Sequence, residues 1–157
     1  MRLLRTMPRI QFDLPDRFIF STDVAIYINH VNQGGHLDNA LLLTLVSEAR
    51  VRFFKSLGYR GEIDIEGHTL VVGDMLAQYK SEAFHGETMI VQMVPADLNK
   101  YGFDIVFLLT DRDSGREVAR GKTGVVFLDN HAEHGAKKVA PPPAALMAKL
   151  RALGATL

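Results

Sequence analysis

The chain has 157 residues, 47% of them hydrophobic, enough for one sizeable core and too apolar for a disordered protein. Its 18 basic and 18 acidic residues cancel, so no overall field favours nucleic acid or an anionic membrane. Cysteine is absent, which removes disulfides, thiolate metal sites and a cysteine nucleophile together.

Residues 1–16 form an irregular lead-in punctuated by Pro8 and Pro15. Its basic start lacks the long apolar region and cleavage site of a signal peptide. No run in the chain approaches the ~18 apolar residues of a membrane span, so a cytoplasmic protein is expected. From Arg17 to Ile28 the sequence alternates with period two, placing Phe18, Phe20, Thr22, Val24, Ile26 and Ile28 on one face of a first strand. A polar loop follows, NHVNQGGH, whose paired glycines permit positive φ or a close approach to a ligand.

The stretch from Asp38 to Gly58 then reads as a helix, with Asp38 or Asn39 as N-cap and Gly58 in the left-handed position past its end. Leu42, Leu45, Val46, Ala49, Phe53 and Leu57 form its main stripe, and Leu41, Leu43, Val51 and Phe54 lie off it. A helix apolar around most of its circumference must be enclosed. Four strand-like runs come next: Thr69 to Ser81, Glu87 to Pro95, Tyr101 to Asp111 and Glu117 to Asp129. Their connections, AFHG, ADLNK and RDSG, are short, which predicts antiparallel neighbours throughout. A polar segment and Pro141-Pro142-Pro143 lead to a short amphipathic helix from Ala144 to Leu153, stopped by Gly154. The expected architecture is α+β: a curved antiparallel sheet of about five strands wrapped around one central helix, with a short C-terminal helix. Residues 1–157 are expected to make a single domain, with residues 130–157 as its tail.

Gly35-His36-Leu37-Asp38-Asn39, then Glu48-Ala49-Arg50, Phe53-Phe54 and Leu57-Gly58, resemble the loop and helix of the hotdog-fold thioesterases, of the 4-hydroxybenzoyl-CoA and acyl-CoA thioesterase type. Phe84-His85-Gly86-Glu87-Thr88 looks like a turn of that family, and Ala119 to Asp129 like its last strand. The resemblance implies a hotdog fold, hydrolysis of an acyl-CoA or acyl carrier protein thioester, and a homodimer or homotetramer. Coenzyme A would enter only as part of the substrate, with no separate cofactor and no metal. One departure matters. Many members carry an aspartate four residues before the histidine, and here that position is Asn32, which cannot ionise.

Asn32, His36, Asp38 and Glu48 are the candidate catalytic residues. The free N–H groups at the helix start suit a developing oxyanion, and Gly34 and Gly35 would let a thioester reach the backbone. The plainer alternative for the glycines is a tight turn. His36 fits a general base, a carbonyl-orienting group, or a ring that fixes the loop. Asp38 fits a cap as well as a carboxylate in the chemistry. Glu48 stands ten residues further on, a rise of ~15 Å, so it would meet His36 only across a subunit interface; otherwise it pairs with Arg52. Lys100, Arg120 and Lys122 are candidates for the phosphates of coenzyme A, or else a solvated sheet face.

Two near-motifs fail. GREVARGKT has the wrong glycine spacing for a P-loop and continues as a strand, and DRDSG lacks the final acid of a calcium loop. His131 and His134 in a polar tail do not make a metal site. A hotdog domain that binds acyl-CoA or a carrier protein without cleaving it is the alternative function.

Overall fold

The computed structural model describes residues 9–132 and 135–157; residues 1–8 of the lead-in and His134 lie outside them. The elements run β1 (Phe20–Ala25), a 3₁₀ turn (Ile28–His30), α1 (Leu42–Ser56), β2 (His68–Tyr79), β3 (Thr88–Asn99), β4 (Gly102–Asp111), β5 (Glu117–Asp129), β6 (Lys138–Ala140) and α2 (Ala144–Ala152). All strand pairs are antiparallel, in the order β1-β3-β4-β5-β2, with β6 pairing onto β5 beyond the end of β4. The sheet curves around α1 as the alternation predicts. Met89, Val91 and Met93 of β3 and Phe103, Ile105, Phe107 and Leu109 of β4 are completely buried.

Helix α1 buries Leu42, Leu45, Val46, Ala49, Phe53 and Phe54 in that core, each large side chain contributing ~1.5–3 kcal/mol. Phe53 stacks on Phe20 with ring centroids 5.1 Å apart. Gly58 takes φ +97°, as expected past the helix end. At that end α2 closes the roll: Leu146, Met147 and Leu150 join the core, and Lys149 Nζ donates to the Leu57 carbonyl at 2.9 Å. At the middle of the sheet, a Cβ on Gly121 would land 1.9 Å from the Leu76 carbonyl oxygen. Glycine lets the neighbouring strand approach there.

Several expectations are corrected. The first strand ends at Ala25, and Ile28 stands 70% exposed on the 3₁₀ turn. Strand β3 continues through Pro95 to Asn99; β1 pairs no further than Met93, so the missing proline N–H leaves no gap in a ladder. The enclosure of α1 is one-sided, since Leu43, Ser47 and Val51 face outward and are only half-buried. The largest correction concerns AFHG. It does not close a hairpin, because β4 and β5 lie between β2 and β3 in the sheet. Residues 80–87 instead cross one end of the roll.

Candidate active site

That crossover meets the loop ahead of α1. Leu37 N–H donates to the Ala83 carbonyl at 2.7 Å, and His36 bridges Phe84. The turn that carries Phe84 is held by Glu87, whose Oε1 accepts the Phe84 N–H at 2.6 Å. Glu87 also accepts from Arg116 Nη2 with both oxygens, at 3.0 and 2.8 Å. Between loop, crossover and the end of β2 lies a hollow of about 300 Å³, lined by His36, Leu37, Asn39, Leu42, Tyr79, Lys80, Ser81, Glu82, Ala83 and Val118. Its walls are largely aliphatic and its rim polar, the usual character of a small-molecule site.

The loop has a defined scaffold. Asn32 Oδ1 accepts the Gly34 N–H at 2.9 Å, and the Asn32 carbonyl accepts the Gly35 N–H at 3.0 Å. Gly35 has φ +83°, a conformation that costs glycine little. Asn32 therefore shapes the loop. His36 Nδ1 sits 3.2 Å from the Leu37 carbonyl; an oxygen there only accepts, so Nδ1 is the donor, and in the neutral ring Nε2 is the acceptor. Nε2 faces Glu82 Oε1 at 3.8 Å, with side-chain exposures of 34% for His36 and 65% for Glu82.

Asp38 does the work of a cap. Its Oδ1 accepts N–H bonds from Ala40 at 2.8 Å and Leu41 at 3.1 Å, and its carbonyl accepts from Leu42. The regular helix starts only at Leu42, because a tight turn over residues 39–41 precedes it. Within residues 38–42 the Asn39 N–H alone has no hydrogen-bond partner among the described residues. The Asn39 carbonyl accepts the Tyr79 hydroxyl at 2.6 Å. Burial, and then the charge of Asp38, push the Tyr79 hydroxyl pKa above its ordinary value.

The remaining sequence candidates lie elsewhere. Glu48 is on the outward face of α1 and binds Arg52 Nε at 2.7 Å; Arg52 also reaches the Asp23 carbonyl. Arg120 forks onto Glu117 and donates to the Phe12 carbonyl. Lys122 binds Asp104 at 2.7 Å, and Lys100 lies over the Tyr101 ring in the β3–β4 turn. Three residues beside the cleft were not singled out from sequence: Tyr79, Lys80 and Glu82. Only the crossing of residues 80–87 brings them to His36.

A sheet rolled around one long helix, with a second short helix closing its end, defines a hotdog fold. The chain belongs to the thioesterase-like superfamily, whose family profile matches residues 26–150. Among solved structures it is similar to a 1,4-dihydroxy-2-naphthoyl-CoA thioesterase from Synechocystis, at 17% identity over 84% of this chain and 95% of that one, TM-score 0.73. It is similar also to a thioesterase from Thermus thermophilus complexed with coenzyme A and Zn, at 24% identity over 88% and 97% of the two chains, TM-score 0.70. A mutant 4-hydroxybenzoyl-CoA thioesterase complexed with 4-hydroxybenzoyl-CoA matches at 14% identity over 83% and 97%, TM-score 0.73. A search of curated protein sequences finds no match.

Proposed function

We propose that the protein hydrolyses an acyl-CoA-type thioester in the hollow beside His36. The observation that carries this reading is the hollow itself: about 300 Å³ and largely aliphatic inside, lined by His36 and by Asn39, whose N–H has no partner among the described residues. The thioester carbonyl would lie against the Asn39 N–H and the positive end of the α1 dipole. The other N–H groups of that first turn are consumed by Asp38, so Asn39 takes the role expected of the helix start as a whole. Gly34 and Gly35 keep the loop backbone free of side chains beside His36. A hollow this size suits an aromatic or short acyl group, and similar structures include thioesterases named for hydroxynaphthoyl and hydroxybenzoyl substrates.

For the phosphates of the leaving group, exposed Lys80 lines the hollow, and exposed Arg9 lines a second hollow that Lys80 and Tyr79 share. Arg120 and Lys122 are engaged by carboxylates and contribute less to this reading. A second copy of the chain fits the long free edge of β2, where Val71 and Val72 are exposed. The outward strip of α1 that carries Glu48 is the neighbouring apolar surface. Sedimentation of a monomer at micromolar concentration would remove this assembly.

The direct test is release of free thiol from aromatic, short-chain and long-chain acyl-CoAs. Turnover of at least one class is expected, fastest with aromatic or short chains. No turnover on any of them overturns the hydrolase reading. Equal efficiency on a pantetheine thioester lacking the nucleotide phosphates would remove the role of Lys80 and Arg9. Asn32 favours a second reading, because its amide supports the loop and supplies no base. Tight binding of acyl-CoA that remains intact after long incubation would establish that non-catalytic role.

A further inference from the structure

Resting on the hydrolase reading, we propose that Glu82 and His36 hold the attacking water between them, so that the crossover supplies the carboxylate the loop lacks at Asn32. The bond from His36 Nδ1 to the Leu37 carbonyl leaves Nε2 as the acceptor. Glu82 Oε1 stands 3.8 Å from that atom, too far for a direct hydrogen bond. A water making ordinary ~2.8 Å bonds to both atoms would subtend roughly 85° at its oxygen, near enough to its own geometry for both hydrogens to be used.

Other carboxylates around the site are committed. Asp38 is capped onto two N–H groups, Glu87 is held by Arg116 and Glu117 forked by Arg120, and Glu48 faces away with Arg52. Glu82 has no lysine or arginine within ion-pair distance among the described residues, and its near neighbour is the His36 ring. Both residues line the same hollow, and the segments that carry them are tied together by the Leu37–Ala83 bond and held by the Glu87–Arg116 pair on the following turn.

The step follows from this placement. The water oxygen forms a bond to the carbonyl carbon while one of its protons passes to His36 Nε2. The carbonyl π pair moves onto oxygen, beside the Asn39 N–H. Glu82 accepts a hydrogen bond from the other water hydrogen, which stays on the attacking oxygen, and its negative charge offsets the imidazolium being formed. Collapse of the oxyanion breaks the C–S bond, and the departing sulfur takes the proton from Nε2. The products are the acid and the thiol, with His36 restored.

The test uses the full chain and the acyl-CoA it turns over fastest. Glu82→Gln, equal in size and exposed, is expected to lower kcat on the order of 10²-fold with KM within about twofold. Glu82→Asp should recover part of the loss. Because one water serves both groups, His36→Ala with Glu82→Gln should fall no further than the slower single variant. A Glu82→Gln enzyme within twofold of the parent kcat overturns the assignment. Losses that multiply in the double variant do so too, as does a kcat loss matched by a lowered melting temperature in both Glu82 variants. An inactive parent would instead remove the hydrolase reading and this assignment with it.

Discussion

The two ends of α1 are built on opposite principles. At its C-terminal end, Phe53 and Phe54 share the buried core with Leu146, Met147 and Leu150 of α2, and apart from the Lys149–Leu57 bond the join is apolar and non-directional. At its N-terminal end the helix meets a loop and a crossover through directed bonds: Asp38 to two N–H groups, Leu37 to Ala83, Tyr79 to Asn39. An apolar seam excludes water and is indifferent to small rotations. A polar seam holds individual atoms in place and leaves room for solvent. The protein secures its fold at one end and aims its side chains at the other.

The comparison predicts a graded set of outcomes. Leu150→Ala at the closed end should cost ~2–5 kcal/mol in urea unfolding while leaving KM unchanged, because it does not border the hollow. A KM shift as large as the stability loss would mean that the ends are coupled. Asp38→Ala at the open end should cost only ~1 kcal/mol, yet its effect on turnover should exceed that of Leu150→Ala, since the turn carrying the Asn39 N–H loses its anchor. Equal turnover in the two variants would erase the distinction.

Acid should produce the smallest effect, confined to the open end. The Ser114 hydroxyl holds the Asp111 carboxyl below its ordinary value of 3.8, and the Arg120 fork holds Glu117 below 4.5. Folded values lower than unfolded ones give stabilisation that is complete above those ordinary values. It is lost as pH falls through the folded values, below about pH 4. Hydrogen exchange at about pH 3–3.5 should therefore loosen residues 111–120 before α2. Simultaneous loss at both ends would break the comparison.

The closed end was legible in the sequence and the open end only partly. Period-two runs and the helical stripe reported burial directly, so β3, β4, α1 and α2 stand where patterning put them. Their bounds moved where local geometry intervened, as at Pro95 and at the turn over residues 39–41. What patterning does not encode is strand order. A short connection such as AFHG suggests a hairpin, and only the rolled sheet shows that it crosses to a distant strand. Glu82 belongs to that crossing and Tyr79 to the strand end that feeds it, and so they carried no signal. The cations Arg120 and Lys122 shared a face as their spacing implied, but spacing does not reveal the acidic partner three residues back on the same strand or across on the neighbouring one.

Asn32 has a consequence for how the cleft responds to its surroundings. A carboxylate in its place would hold the Gly34 N–H with a strength that changes on protonation. An amide has no such dependence. The bonds that Asn32 makes to Gly34 and Gly35 therefore hold alike in acid and in neutral solution, a fixed mount beside the hollow.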